Sequence, residues 1–98
     1  MKLQCRHYVA YTGIKLPFKF VNEITDDDMH LRNTYFKAYY DDDDKLISCQ
    51  KIVYGEIEFE HHYEYSSAGI IKRAEIKEAD AADVRVIEYN QQGMPISQ

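Results

Sequence analysis

Ninety-eight residues with 12 Lys and Arg against 17 Asp and Glu carry a net charge of −5, so the chain lacks the positive field that draws a polyanion, and no nucleic-acid partner is expected. No stretch approaches the ~18 consecutive apolar residues that a membrane helix needs, so no membrane span is expected either. A chain this short buries only about 60–65% of its unfolded surface, which predicts one domain over 1–98 with a thin core that pairing with a second copy, as a homodimer, would reinforce.

The start, Met1-Lys2-Leu3-Gln4-Cys5-Arg6-His7, has no apolar block of the signal-peptide kind, and a cytoplasmic location is expected. Cys5 and Cys49 fall in strand-like segments and are expected to be reduced, buried small hydrophobes. Leu3, Cys5, His7, Val9 and Tyr11 form one row of a first strand, read as its inward row. Thr12-Gly13 fits a tight turn, because glycine tolerates positive φ. From Ile14 to Asn22 the residues Ile14, Leu16, Phe18 and Phe20 alternate with Lys15, Pro17, Lys19 and Val21. Pro17 has no N–H for a ladder and predicts an edge strand. Thr25 followed by Asp26-Asp27-Asp28 is an N-cap signature and predicts one short helical turn.

Tyrosines then lead three similar segments, Tyr40-Asp-Asp-Asp-Asp44-Lys-Leu46, Tyr65-Ser-Ser-Ala-Gly69-Ile-Ile71 and Tyr89-Asn-Gln-Gln-Gly93-Met-Pro95. Each reads as strand, turn, strand. Asp, Ser or Asn after the tyrosine can bond its own turn backbone, and Gly69, Gly93 or, in the first segment, Asp44 supplies a left-handed residue. Gly55 marks the bend between strands over 45–54 and 56–65. In the second of these, Ile57, Phe59, His61, Tyr63 and Tyr65 alternate with Glu56, Glu58, Glu60, His62 and Glu64, giving an apolar row and an acidic row on opposite faces. The Ala-rich stretch 77–83 reads as a loop or single helical turn. The fold class is all-β: an antiparallel meander of about eight strands in four hairpins, in a curled or face-packed sheet. The tyrosine content agrees, since nine of the 13 aromatic residues are Tyr, whose ring packs on a pleated surface while its hydroxyl reaches water.

The three segments resemble the Tyr-Asp repeats of bacterial RHS proteins, in which Tyr and Asp are followed by two variable residues, Gly, a basic and an aliphatic residue. Tyr40-Asp41 with Lys45-Leu46, and Tyr65 with Gly69 and Ile71, carry the likeness. Only the first segment keeps Asp after Tyr, and it lacks the Gly. The likeness covers 35–98 and implies hairpin geometry, without an activity. Tyr11-Thr-Gly-Ile-Lys-Leu-Pro17, Arg32-Asn-Thr-Tyr-Phe36, Val53-Tyr-Gly-Glu56 and Glu60-His-His-Tyr-Glu-Tyr65 are together similar to a small bacterial family of unknown function, which implies no activity either.

Candidate chemistry centres on residues 60–64. His61 and His62 point to opposite faces and cannot share an ion. His62 with Glu60 and Glu64 lies on one face, but at ~7 Å spacing along a strand this set is loose for a metal held at ~2 Å by three or four ligands. A solvated acidic face, with His62 shielding like charges, accounts for it as well. His61 in the apolar row is a weak catalytic candidate, with His7 or a Tyr as partner if the two strands meet across the core. Buried and neutral, it serves equally as a core residue bonded to a tyrosine. No nucleophile motif, phosphate loop or paired-cysteine motif is present, and the aspartates 41–44 lack the spacing of a calcium loop. Apolar residues on both parities, Leu46 and Ile52 against Ile47 and Val53, and Ile70 against Ile71, point instead to a sheet with a face to cover. The expected function is a non-enzymatic binding module that self-associates through a sheet face or edge, with Tyr63, Tyr65, His62, Glu60 and Glu64 as candidate binding residues. Its ligand is not specified, and no cofactor or resident metal is expected. A small enzyme built on His61 and a metal protein built on 60–64 are the alternatives.

Overall fold

A computed structural model describes residues 3–12 and 16–96, so the expected turn at Gly13 and the row positions Ile14 and Lys15 lie outside the described residues. Seven strands and one helical turn follow in order: β1 (Gln4–Thr12), β2 (Lys19–Ile24), α1 (Asp26–Met29), β3 (Thr34–Tyr40), β4 (Leu46–Val53), β5 (Glu56–Tyr65), β6 (Ile71–Glu78) and β7 (Arg85–Glu88). They make one antiparallel sheet in the order β2-β1-β3-β4-β5-β6-β7, open at β2 and β7. The fold is the expected all-β meander with two departures. The strand anticipated after Tyr89 shrinks to a bridge between Tyr89 and Pro95, and β3 pairs with β1 instead of β2, which leaves β2, led by Pro17, at the edge. Thr25 caps α1 as its sequence predicts, its hydroxyl accepting from the Asp28 N–H at 3.2 Å.

The turns follow from local chemistry. Tyr54 and Gly55, at φ 50° and 81°, are the two central residues between β4 and β5, and positive φ at both suits the right-handed twist of the strands. After Tyr40, Tyr65 and Tyr89 the chain closes with the same bonds each time. Asp41, Ser66 and Asn90 donate their N–H to the carbonyls of Lys45, Ile70 and Met94, and their carbonyls accept from Asp44, Gly69 and Gly93. Their side-chain oxygens each accept two further N–H groups of the turn. The left-handed residue is Asp44 (φ 61°), Gly69 (φ 81°) or Gly93 (φ 80°).

Residues paired across antiparallel neighbours share a face. One ladder runs Arg6, Ala38, Cys49, His61, Ile76, Arg85 along the inner face. The next, Cys5, Tyr39, Ser48, His62, Glu75, Val86, runs along the outer face. The sheet curls around the inner face: Phe18, just before edge strand β2, lies 6.0 Å from the Phe59 ring and 4.9 Å from the His61 ring on β5, with three strands between β2 and β5 in the sheet. The strap 16–18 therefore crosses the inner face, over a core of Tyr8, Phe36, Ala38, Leu46, Cys49, Tyr63, Ile71 and Ala74.

Three face assignments change. In β1 the buried residue is Tyr8, of the parity opposite to the expected inward row, while Cys5 is exposed. Tyr11 nevertheless returns to the inner aromatic group, 5.5 Å from Phe36. The alternation slips near Asn22 of β2, whose φ of 62° breaks the extended backbone. A register shift at Tyr39/Tyr40 sets Leu46 opposite Tyr40 but Ile52 opposite Tyr35, so these two same-parity residues serve different faces. A second shift at Lys51/Ile52 pairs Ile57 with Ile52 and Phe59 with Lys51, which takes Ile57 out of the inward row. A bulge adds one residue to one strand, and every later side chain on it changes face. At 77–83 the strand β6 runs on through Glu78, and only the remainder forms turns.

Candidate functional site

The inner row of β5 meets β4 at the most enclosed point of the sheet. Cys49 is 0%, Tyr63 2% and His61 5% exposed. Nδ1 of His61 lies 2.7 Å from the Tyr63 hydroxyl, which in turn lies 4.0 Å from Sγ of Cys49. Alternation brings His61 and Tyr63 to one side, and the Cys49–His61 pairing supplies the thiol. With the ring proton on Nε2, the Tyr63 hydroxyl donates to Nδ1 and the thiol donates to Tyr63, a linear chain of neutral groups. Above the chain, the His61 ring is held between Phe18 and Phe59, at 4.9 and 4.8 Å.

Burial sets the protonation of every member. It lowers His61 from 6.5 to about 4, with Arg85 and then His62 adding repulsion. It pushes the Cys49 thiol up to about 12, the bond from Tyr63 pulling back only in part, and raises the Tyr63 phenol far above its ordinary range. A cysteine–histidine pair works as a nucleophile when the thiol is depressed and the imidazole can take its proton. Here both shifts run the other way, and all three groups stay neutral between about pH 4 and 12. Among the described residues, no buried side-chain nitrogen or oxygen lacks a hydrogen-bond partner. The arrangement is that of a satisfied polar pair inside an aromatic core.

The other expected site residues are dispersed. His7 sits on the outer face, in register with Lys37, its ring 5.9 Å from Tyr35 and Nδ1 3.8 Å from Asp26, so it does not meet His61. Glu60, His62 and Glu64 share the outer face as alternation predicts, while Tyr63 and Tyr65 belong to the inner one. Glu60 accepts from Gln50 at 2.6 Å and lies 3.6 Å from His62, and Glu64 lies 3.6 Å from Arg73. Each carboxylate is thus already engaged, and among the described residues no group of three or more His, Cys, Asp or Glu is placed to hold a metal ion. Tyr65 reaches across the core, its hydroxyl donating to the Leu46 carbonyl at 2.8 Å.

The surface feature that alternation alone does not reveal is apolar. Across β3, β4 and β5 the outer face carries Tyr35, Ile52 and Ile57 side by side, with Ile57 exposed, Tyr35 half-buried and Ile52 buried between them. The Tyr54 N–H donates to the Asn33 carbonyl at 2.7 Å, which brings Tyr54, 76% exposed, to the same end of the sheet as Leu31, 85% exposed. A cleft of about 640 Å³ opens beside Leu31 and is lined also by Ile24, Asp28 and Thr34. Paired strands, not sequence neighbours, assemble this group. No helix among the described residues is long and apolar enough to cross a membrane.

Over its whole length, residues 1–98, the chain matches the model of a family of unknown function, DUF6156, and it belongs to that family. No curated protein and no solved structure matches it.

Proposed function

We propose that this member of DUF6156 is a non-enzymatic interaction module that pairs with a second copy of itself through the outer face of its sheet. The observation that supports the reading is the exposed apolar group of Ile57, Tyr54 and Leu31, on the outer face beside half-buried Tyr35 and over buried Ile52. In a chain with so few fully buried side chains, large apolar groups left in water mark a contact surface. A two-fold pairing would let Leu31 of each copy enter the cleft beside its counterpart, since such an interface uses the same patch twice. The charges around it, Lys37, Glu60 and Lys77 in one outer row, alternate in sign and suit a self-complementary contact. Catalysis by His61 draws no support from a ring covered on both sides, nor a metal role from carboxylates already engaged. We read the likeness to RHS-type repeats as shared turn geometry. A cytoplasmic setting fits two free thiols on opposite faces of the sheet.

Light scattering on the eluting protein between 1 and 100 micromolar (about two decades, wide enough to bracket a weak dimer) is expected to give twice the chain mass of 11.6 kDa at the upper end. Leu31→Glu is expected to return it to one chain mass. Tyr54→Asn is the more discriminating variant. It creates the favoured Asn-Gly turn, so it should stabilise the hairpin while weakening association. A single chain mass throughout, or a dimer indifferent to both substitutions, would overturn the proposal.

A further inference from the structure

The β6–β7 hairpin carries two arginines in contrasting surroundings. Arg73 lies 3.6, 3.4 and 3.5 Å from the carboxylates of Glu64, Glu75 and Glu88. Arg85 is exposed and has no carboxylate within 4.0 Å among the described residues. It stands at the wall of a cleft of about 290 Å³ whose other sides are Leu16, Ile87, Tyr89, Met94 and Pro95. Arg85 and Ile87 lie on the inner parity of β7 and Tyr89 continues it just past the strand's end, Leu16 comes from the strap, and Met94 and Pro95 come from the last turn. That turn is held to the edge by the Tyr89–Pro95 bridge and the Ile96 N–H donating to Glu88 at 2.8 Å.

We propose that this cleft binds a small carboxylate with a short apolar body, the carboxylate on Arg85 and the body against Leu16, Ile87 and Met94. Ligand pockets are mostly apolar concavities of about 300 Å³ upward with a few polar groups that set orientation, and this one has that make-up at the small end of the range. A guanidinium offers a planar pair of donors matched to a carboxylate. The Tyr89 phenol adds a donor that remains protonated at neutral pH, since burial raises it above its ordinary value against the pull of Arg85. In a chain of net charge −5, an arginine left without an acid partner beside an apolar wall selects one charged head with a tail. The cleft lies on the inner side of the sheet, away from the surface assigned to self-association, and neither reading requires the other.

The test is a titration of the uniformly 15N-labelled full chain with sodium octanoate, followed by amide shifts. Saturable shifts confined to residues 16–18 and 85–96 are expected, with 1-octanol and acetate each binding at least tenfold more weakly because one lacks the head and the other the tail. Arg85→Gln should weaken octanoate tenfold or more, and Tyr89→Phe severalfold, with the rest of each spectrum unchanged. No saturable shift with octanoate, equal response to octanol or acetate, or undiminished binding by Arg85→Gln in a chain whose spectrum remains folded would each overturn the assignment.

Discussion

His61 and His62 are sequence neighbours on two ladders one residue out of phase, and the ladders have opposite characters. The inner one, through Ala38, Cys49, His61 and Ile76, is buried at every one of these positions. The outer one, through Tyr39, Ser48, His62 and Glu75, is partly or fully open to water. On the inner face an imidazole bonded to a phenol, between two aromatic rings, loses its proton affinity. On the outer face the same side chain sits 3.6 Å from a carboxylate in solvent. What the contrast teaches is that, within this sheet, chemistry is assigned by face and not by residue type. The two arginines of β6 and β7 repeat the lesson with charge.

The contrast can be broken most directly by emptying the inner face. Phe36→Ala removes a 6%-exposed ring that contacts Tyr11, Phe20 and Phe59 and is expected to cost about 3–5 kcal/mol by urea denaturation. A loss below about 1 kcal/mol would mean that the aromatic group is loosely packed.

Acid should act next, and through His61. The unfolded chain takes up a proton near pH 6.5, whereas the folded chain does so only near pH 4. Stability is therefore full above 6.5, declines by about 3 kcal/mol as the pH falls to 4, and levels off below that for this group. Unfolding midpoints between pH 7.5 and 3.5 should show the decline in the native chain and in His62→Ala, and lose it in His61→Leu. Persistence of the decline in His61→Leu would move its origin to other groups.

The outer face should respond least. Arg73→Ala removes three ion pairs at a half-exposed site, and exposed pairs contribute about 0–1 kcal/mol each before salt screening. A loss below about 1.5 kcal/mol, shrinking in 1 M salt, is expected; a larger, salt-insensitive loss would show that the network is sheltered from solvent.

Much of this was legible in the residues themselves. Alternation over 56–65 names the whole of β5, and the three tyrosine-led turns, with Asp44 standing in for glycine, follow from side chains that bond their own backbone. Thr25 and three aspartates announce α1, and the strand expected over 14–22 does lie at an edge, although it begins only at Lys19 and leaves Pro17 in the strap before it. Less legible were Tyr8 and Ile57. A parity rule cannot see the bulge beside Lys51, because a bulge is settled by what the neighbouring strand presents; in β1, whose register with both neighbours is unbroken, alternation separates two rows without saying which one turns inward. His7 and His61 do not meet because β1 turns Tyr8 toward the core and sets His7 on the outer face, in register with Lys37.

The local order of this protein, its strands, its turns and the two-sided character of β5, was determined by the sequence alone, because alternation and turn chemistry act over a few residues. The insertion of β1 between β2 and β3, the strap laid over His61, the apolar group at Tyr35, Ile52 and Ile57, and an arginine left beside an apolar cleft were decided only by the tertiary structure. Each joins residues from different strands, and what brings them together is the curl of one open sheet around a core too small to cover both of its faces.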